Sequence, residues 1–135
     1  SGGNITVMSE AEVYDGISSS GKGNNISAIY GGTITIDGGI VGSNNPEKLQ
    51  ENTLWIIGTD SFDADGDGTK ESHSSTLTIE DGTIYGKFAR KDYKTNTVTI
   101  NHGRFSDNAL INVVVKAPAA VFVETDGMYG VHSGL

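Results

Sequence analysis

Three segments of this chain are close copies of one pattern: Thr33-Ile34-Thr35-Ile36, Thr76-Leu77-Thr78-Ile79 and Thr97-Val98-Thr99-Ile100. Each places two apolar residues two positions apart, with threonine before and between them, and each is followed three residues later by glycine (Gly39, Gly82, Gly103). Weaker copies stand at Asn4-Ile5-Thr6-Val7 and Ala120-Val121-Phe122-Val123, the second followed by Gly127. A period of two gives a strand with one buried and one solvated face. Recurrence of such a unit every few tens of residues points to stacked coils, each burying its apolar face on its neighbours.

The spacing of the copies sets the coil length. Ile5, Ile34, Leu77, Val98 and Val121 are separated by 29, 43, 21 and 23 residues. A coil of a parallel β-helix takes roughly 20–25 residues, so the last two steps are bare coils and the first two carry insertions. The insertions are assigned to residues 43–52 and 58–75, which leave the stack as loops.

Composition narrows the class. The 135 residues suffice for one domain, residues 1–135, with a continuous core. Nineteen glycines against two prolines favour strands joined by tight turns. A net charge of −8 argues against nucleic acid or an anionic membrane as partner, and no apolar run reaches membrane-spanning length. The absence of cysteine excludes a disulfide framework. An acidic, cysteine-free chain rich in Gly, Thr, Asn and Ser fits a bacterial exterior, and a start at Ser1-Gly2-Gly3 suggests a piece of a longer surface protein.

Further strands are expected at Asn25–Tyr30, Thr53–Ile57 and Leu110–Val115, each preceding a repeat, and short apolar pairs follow each turn glycine (Ile40-Val41, Ile84-Tyr85). Three strands per coil give an all-β, right-handed parallel β-helix of about five coils with two inserted loops. Its inward ladders are expected to be Ile5/Ile34/Leu77/Val98/Val121 and Val7/Ile36/Ile79/Ile100/Val123.

The units GGTITIDGGIVG, STLTIEDGTIYGK and NTVTINHGRFSDNALINVVV resemble the pectate-lyase-like β-helix repeats of secreted bacterial surface proteins, the last being similar to their GGTFS-type units. The resemblance covers most of the chain and rests on strand alternation and turn glycines. It implies an adhesin, a carbohydrate-binding module or a carbohydrate-active enzyme, because one fold hosts all three.

The sharpest chemical motif is Asp63-Ala64-Asp65-Gly66-Asp67-Gly68-Thr69-Lys70-Glu71. Carboxylates at positions 1, 3 and 5 with glycine at 6 wrap a hard cation, and position 7 supplies its carbonyl. Asp63, Asp65, Asp67, the Thr69 carbonyl and Glu71 are therefore the expected Ca2+ ligands. The segment resembles the calcium loops of EF-hands, dockerins and thrombospondin-type repeats. It departs from the EF-hand at position 12, where Ser74 replaces the bidentate glutamate; Asp60 is a substitute.

Aligning the repeats superimposes Asp37, Glu80 and Asn101, and likewise Gly38, Asp81 and His102. Glu80, Asp81 and His102 are thus the candidate catalytic residues, since paired carboxylates beside a histidine serve acid–base glycoside chemistry. The sequences EDG and NHG are faintly similar to polygalacturonase motifs, whose Asn-Thr-Asp and Arg-Ile-Lys signatures are absent. Turn chemistry alone also explains Asp and Asn at these places.

Lys87, Arg90, Lys91 and Lys94 form a basic cluster, read as a solvated loop closing the third coil. Trp55, Tyr93 and Lys91 are candidates for sugar contact. The outward rows Thr6/Thr35/Thr78/Thr99 and Thr33/Thr76/Thr97 resemble the threonine ladders of β-solenoid ice-binding proteins. The expected function is a noncatalytic extracellular module that binds a glycan or another surface ligand through its inserted loops, one of them ordered by calcium. A fragment of a carbohydrate-active enzyme, an ice-binding surface and a stalk spacer are the alternatives.

Overall fold

A computed structural model describes residues 3–13, 24–29, 32–45, 52–62, 66–92, 96–108, 111, 115 and 117–132. The chain is all-β, and its described strands form two sheets visited in alternation. β1 (Asn4–Met8) and β2 (Glu12–Val13) lie in the larger sheet, β3 (Asn24–Ile29) in the smaller. β4 (Thr33–Val41) returns to the larger sheet, and β5 (Asn52–Phe62) and β6 (Glu71–His73) to the smaller. β7 (Thr76–Ile84), β8 (Phe88–Asp92), β9 (Thr97–Ile100) and β10 (Gly103–Phe105) repeat the alternation, and β11 (Ala120–Val123) and β12 (Tyr129–His132) end the larger sheet.

The Thr-apolar repeats pair in parallel and in the register that their alternation dictates. Ile5, Ile34, Leu77 and Val98 stand side by side on β1, β4, β7 and β9, as do Val7, Ile36, Ile79 and Ile100. A slip by one residue would turn every apolar side chain outward, so burial fixes this register. Val7, Ile34, Ile36, Leu77, Ile79 and Ile100 are buried, with Val41, Ile84, Phe105, Ile111 and Val131 completing the core among the described residues. Outside the repeats the ladder continues through Thr33 N–H to the Gly3 carbonyl (2.8 Å), Thr76 to Gly32 (3.0 Å) and Thr97 to Ser75 (3.0 Å). Ser75 and Asn96 are buried at this corner, and Ser75 N–H donates to Asn96 Oδ1 at 3.3 Å.

Each repeat bends just after its second apolar residue. β4 and β7 carry paired register irregularities there, so that Asp37 faces Asp81 while Ile40 returns to Thr83. The bend passes through positive φ at Gly38, Gly82 and Gly103, where an L side chain is strained. The glycines also stack: a Cβ on Gly82 would press on the Gly38 carbonyl, and one on Gly103 on the Gly82 carbonyl.

Five expectations need correction. The fifth repeat is not a fifth parallel rung: Val121 and Val123 lie on β11, which pairs antiparallel with β12, itself antiparallel to β10. Val123 is 73% exposed, and Ile5, on the edge strand β1, is 45% exposed. The basic segment after Lys87 is not a loop, because β8 pairs in parallel with β5 and sets Arg90 opposite Ile56 and Lys91 opposite Ile57. The 58–75 insertion is built on a hairpin, with β5 continuing to Phe62 and β6 returning antiparallel (Thr59 opposite His73, Phe62 opposite Glu71). Finally, Ile111 and Val115, in a run expected as strand, are joined by a backbone hydrogen bond of 3.0 Å at the four-residue spacing of a helical turn.

Candidate functional site

The inner ladders leave the outer face of the larger sheet to polar residues, and a depression of about 390 Å³ opens where the 43–52 insertion departs. Glu12, Ile40, Gly42, Ser43, Asn44, Asn45 and Tyr85 line it. Its position follows from the stacking. Glu12 is in register with Ile40 on β4, and Tyr85 follows β7 one rung further on. Tyr85 N–H donates to the Val41 carbonyl at 2.8 Å, continuing the parallel ladder past the strand end. The Tyr85 carbonyl accepts from the hydroxyl of buried Thr53.

Gly42 has φ +83° and lies directly under the Tyr85 carbonyl, where any Cβ would overlap the oxygen. It thereby lets neighbouring rungs close while the chain turns away into Ser43, Asn44 and Asn45. Asn45 N–H donates to Ser43 Oγ at 3.1 Å, which closes that turn. The result is a half-buried aromatic ring beside two exposed carboxamides, a hydroxyl and the exposed Glu12 carboxylate. A depression lined by an aromatic residue and several polar ones is suited to a small polar ligand.

Tyr85 and Glu12 are missing from the candidates drawn from sequence. The signal was present: a shift of 43 residues that aligns the second and third repeats sets Tyr85 over Gly42, an aromatic residue above a bare turn. Among the sequence candidates for sugar contact, Trp55 and Lys91 are placed by their backbones alone, Trp55 between Ser27 and Ala89 across the smaller sheet. Tyr93 lies outside the described residues.

Of the expected calcium ligands, Asp63 and Asp65 lie outside the described residues, and Glu71 is placed by its backbone opposite Phe62. Asp67 and Thr69 are exposed at the hairpin tip, where Thr69 N–H donates to Asp67 Oδ1 at 2.7 Å. Gly66 and Gly68 have φ of +73° and +90°. Over the described residues 66–69 the tip is thus a turn with left-handed glycines and an Asx bond.

The residues aligned as a catalytic patch divide into three environments. Asn101 Nδ2 donates to Glu80 Oε2 at 3.0 Å, so this pair is brought together across β7 and β9. Asp81 Oδ1 accepts from its neighbour Gly82 N–H at 2.8 Å, closing its own turn. The His102 ring lies 6.4 Å from that of His132. Both carboxylates are exposed.

The β11–β12 hairpin brings together a charged group that the sequence did not suggest. Arg104 pairs with Asp126, and His132 Nε2 lies 3.5 Å from Glu124 Oε1, with the Phe122 ring 5.9 Å from His132. Gly130 makes room for this group, since a Cβ there would collide with the Glu124 carboxylate. Asp126 Oδ1 also accepts from Met128 N–H at 3.0 Å. That backbone bond, with the Arg104 guanidinium adding to it, holds the Asp126 carboxyl below the ordinary aspartate value.

Among the described residues no helix is long and apolar enough to cross a membrane. No known protein family matches the chain, and neither does any curated protein or solved structure.

Proposed function

We propose that the chain is a noncatalytic, extracellular right-handed β-helix module that binds a glycan at the Tyr85 depression, with the 63–71 tip ordered by calcium. The depression carries this reading: a tyrosine, two asparagines, a serine and a glutamate line it at the root of an insertion on the larger sheet. The topology supports it, because strands that alternate between two sheets and mostly pair in parallel with their counterparts are what successive coils produce. The pectate-lyase-like character of the repeats fits the same description. The exposed Glu80 and Asp81, engaged with Asn101 and Gly82, suit turn chemistry better than acid–base catalysis and so favour binding over hydrolysis. A glycan array probed with and without calcium is the test. Binding that Tyr85→Ala removes supports the reading, and an array with no retained glycan would refute it.

A second reading has its own observation. Thr33/Thr35, Thr76/Thr78 and Thr97/Thr99 stand in register on three adjacent rungs, with Asn4/Thr6 extending the rows. Neighbouring rungs are about 4.8 Å apart and alternate residues about 6.6 Å apart, giving a regular array of methyl and hydroxyl groups. Such an array favours a periodic surface such as ice. Thermal hysteresis abolished by Thr78→Lys would establish it.

A further inference from the structure

We propose that the Tyr85 depression takes uncharged saccharides and rejects those bearing uronate, sialate or sulfate groups, with Glu12 as the residue that sets this choice; the inference rests on the glycan reading above. The lining supplies the chemistry. Tyr85, Ser43, Asn44 and Asn45 are neutral residues whose side chains belong to types that both donate and accept, and Glu12 is the one charged group among the lining residues. An ionised carboxylate accepts hydrogen bonds and donates none, so vicinal sugar hydroxyls suit it and an anionic substituent does not.

Along the row that holds Glu12, the first cation among the described residues is Arg104. Across the sheet the order runs Glu12, Ile40, Thr83, Arg104. At about 4.8 Å per rung, Arg104 is roughly 14 Å away, beyond the Debye length at physiological salt. Its guanidinium is moreover paired with Asp126. The chain as a whole carries −8, which adds to the repulsion of an anionic ligand.

Calorimetric titration with matched neutral and C6-oxidised sugars tests this: cello-oligosaccharides against their glucuronate counterparts, and galacto-oligosaccharides against oligogalacturonates. The wild-type domain is expected to bind the neutral member at least tenfold more tightly, and Glu12→Gln to close most of that gap by admitting the oxidised member. Equal or tighter binding of the oxidised sugars by the wild type would overturn the selectivity while leaving the glycan reading in place. So would a gap that Glu12→Gln leaves unchanged. Binding that survives Tyr85→Ala, or the absence of any saccharide binding, would overturn both. Glu12 is exposed on a two-residue edge strand, so its substitution leaves the core intact, and circular dichroism verifies this.

Discussion

Gly42 and Tyr85 meet backbone to backbone across two rungs, so closely that Gly42 has no room for a side chain. This contact lets the chain leave the stack into Ser43, Asn44 and Asn45 while the Tyr85 backbone stays clamped by Val41 and Thr53. Gly42→Ala adds both left-handed strain and a clash. It is expected to cost about 2–4 kcal/mol in urea unfolding, and to weaken any ligand held at Tyr85.

Burial separates the repeats that stack from the one that does not. Ile79 is fully buried between β4 and β9, whereas Val123 sits exposed on the terminal hairpin. Ile79→Ala is expected to cost about 2–5 kcal/mol, and Val123→Ala less than about 0.5 kcal/mol. Equal losses from the two would mean that the fifth repeat is packed like the others.

Glu10 is the one non-glycine at positive φ among the described residues (φ +68°), in the β1–β2 turn closed by Ala11 N–H to the Met8 carbonyl. The corresponding bends of the later repeats use glycine. Glu10→Gly removes the strain but adds chain entropy to the unfolded state, for a net gain of a few tenths to about 1 kcal/mol. Thermal melts of the two proteins decide the sign.

What the sequence disclosed and what it hid divide along physical lines. The register from Ile5 to Val98 and from Val7 to Ile100 was legible, because a period of two admits one register once a face is buried, although Ile5 on the edge strand stays exposed. Val121 and Val123 carry the same local pattern, but alternation does not say whether a strand pairs parallel or antiparallel; β12, with only Tyr129 to His132, decided that. β8 carries no strand signal because Arg90, Lys91 and Asp92 read as a solvated loop, although the ladder to β5 needs only backbone groups. An apolar run such as 110–115 does not distinguish a strand from a buried helical turn. The depression is not legible in the sequence because Glu12 and Tyr85 are 73 residues apart and come to line it only through the pairing of β2, β4 and β7.

Acid should loosen the terminal hairpin. The Asp126 carboxyl is held low by Met128 N–H and then by Arg104, so its ionised form favours the folded chain. That contribution is present above the ordinary aspartate range near about pH 4 and is lost as pH falls through the lower folded value. Because Asp126 is exposed the effect is small, and Asp126→Asn should flatten the acid limb of a melting-temperature profile below about pH 4.

Calcium should act on the hairpin tip. Three carboxylates at Asp63, Asp65 and Asp67 within five residues repel one another unless a cation neutralises them. Scanning calorimetry is expected to show a higher melting temperature with calcium than with chelator, and no difference for Asp67→Ala. Identical wild-type traces would count against a structural site.

The most direct measurement is an amide chemical-shift titration of the labelled domain with a neutral oligosaccharide retained on the array. The account predicts perturbations confined to Glu12, Gly42 to Asn45 and Tyr85, without cleavage of the sugar. Shifts centred on Glu80, Asp81, Asn101 and His102, accompanied by release of reducing ends, would contradict it and establish a carbohydrate-active enzyme instead.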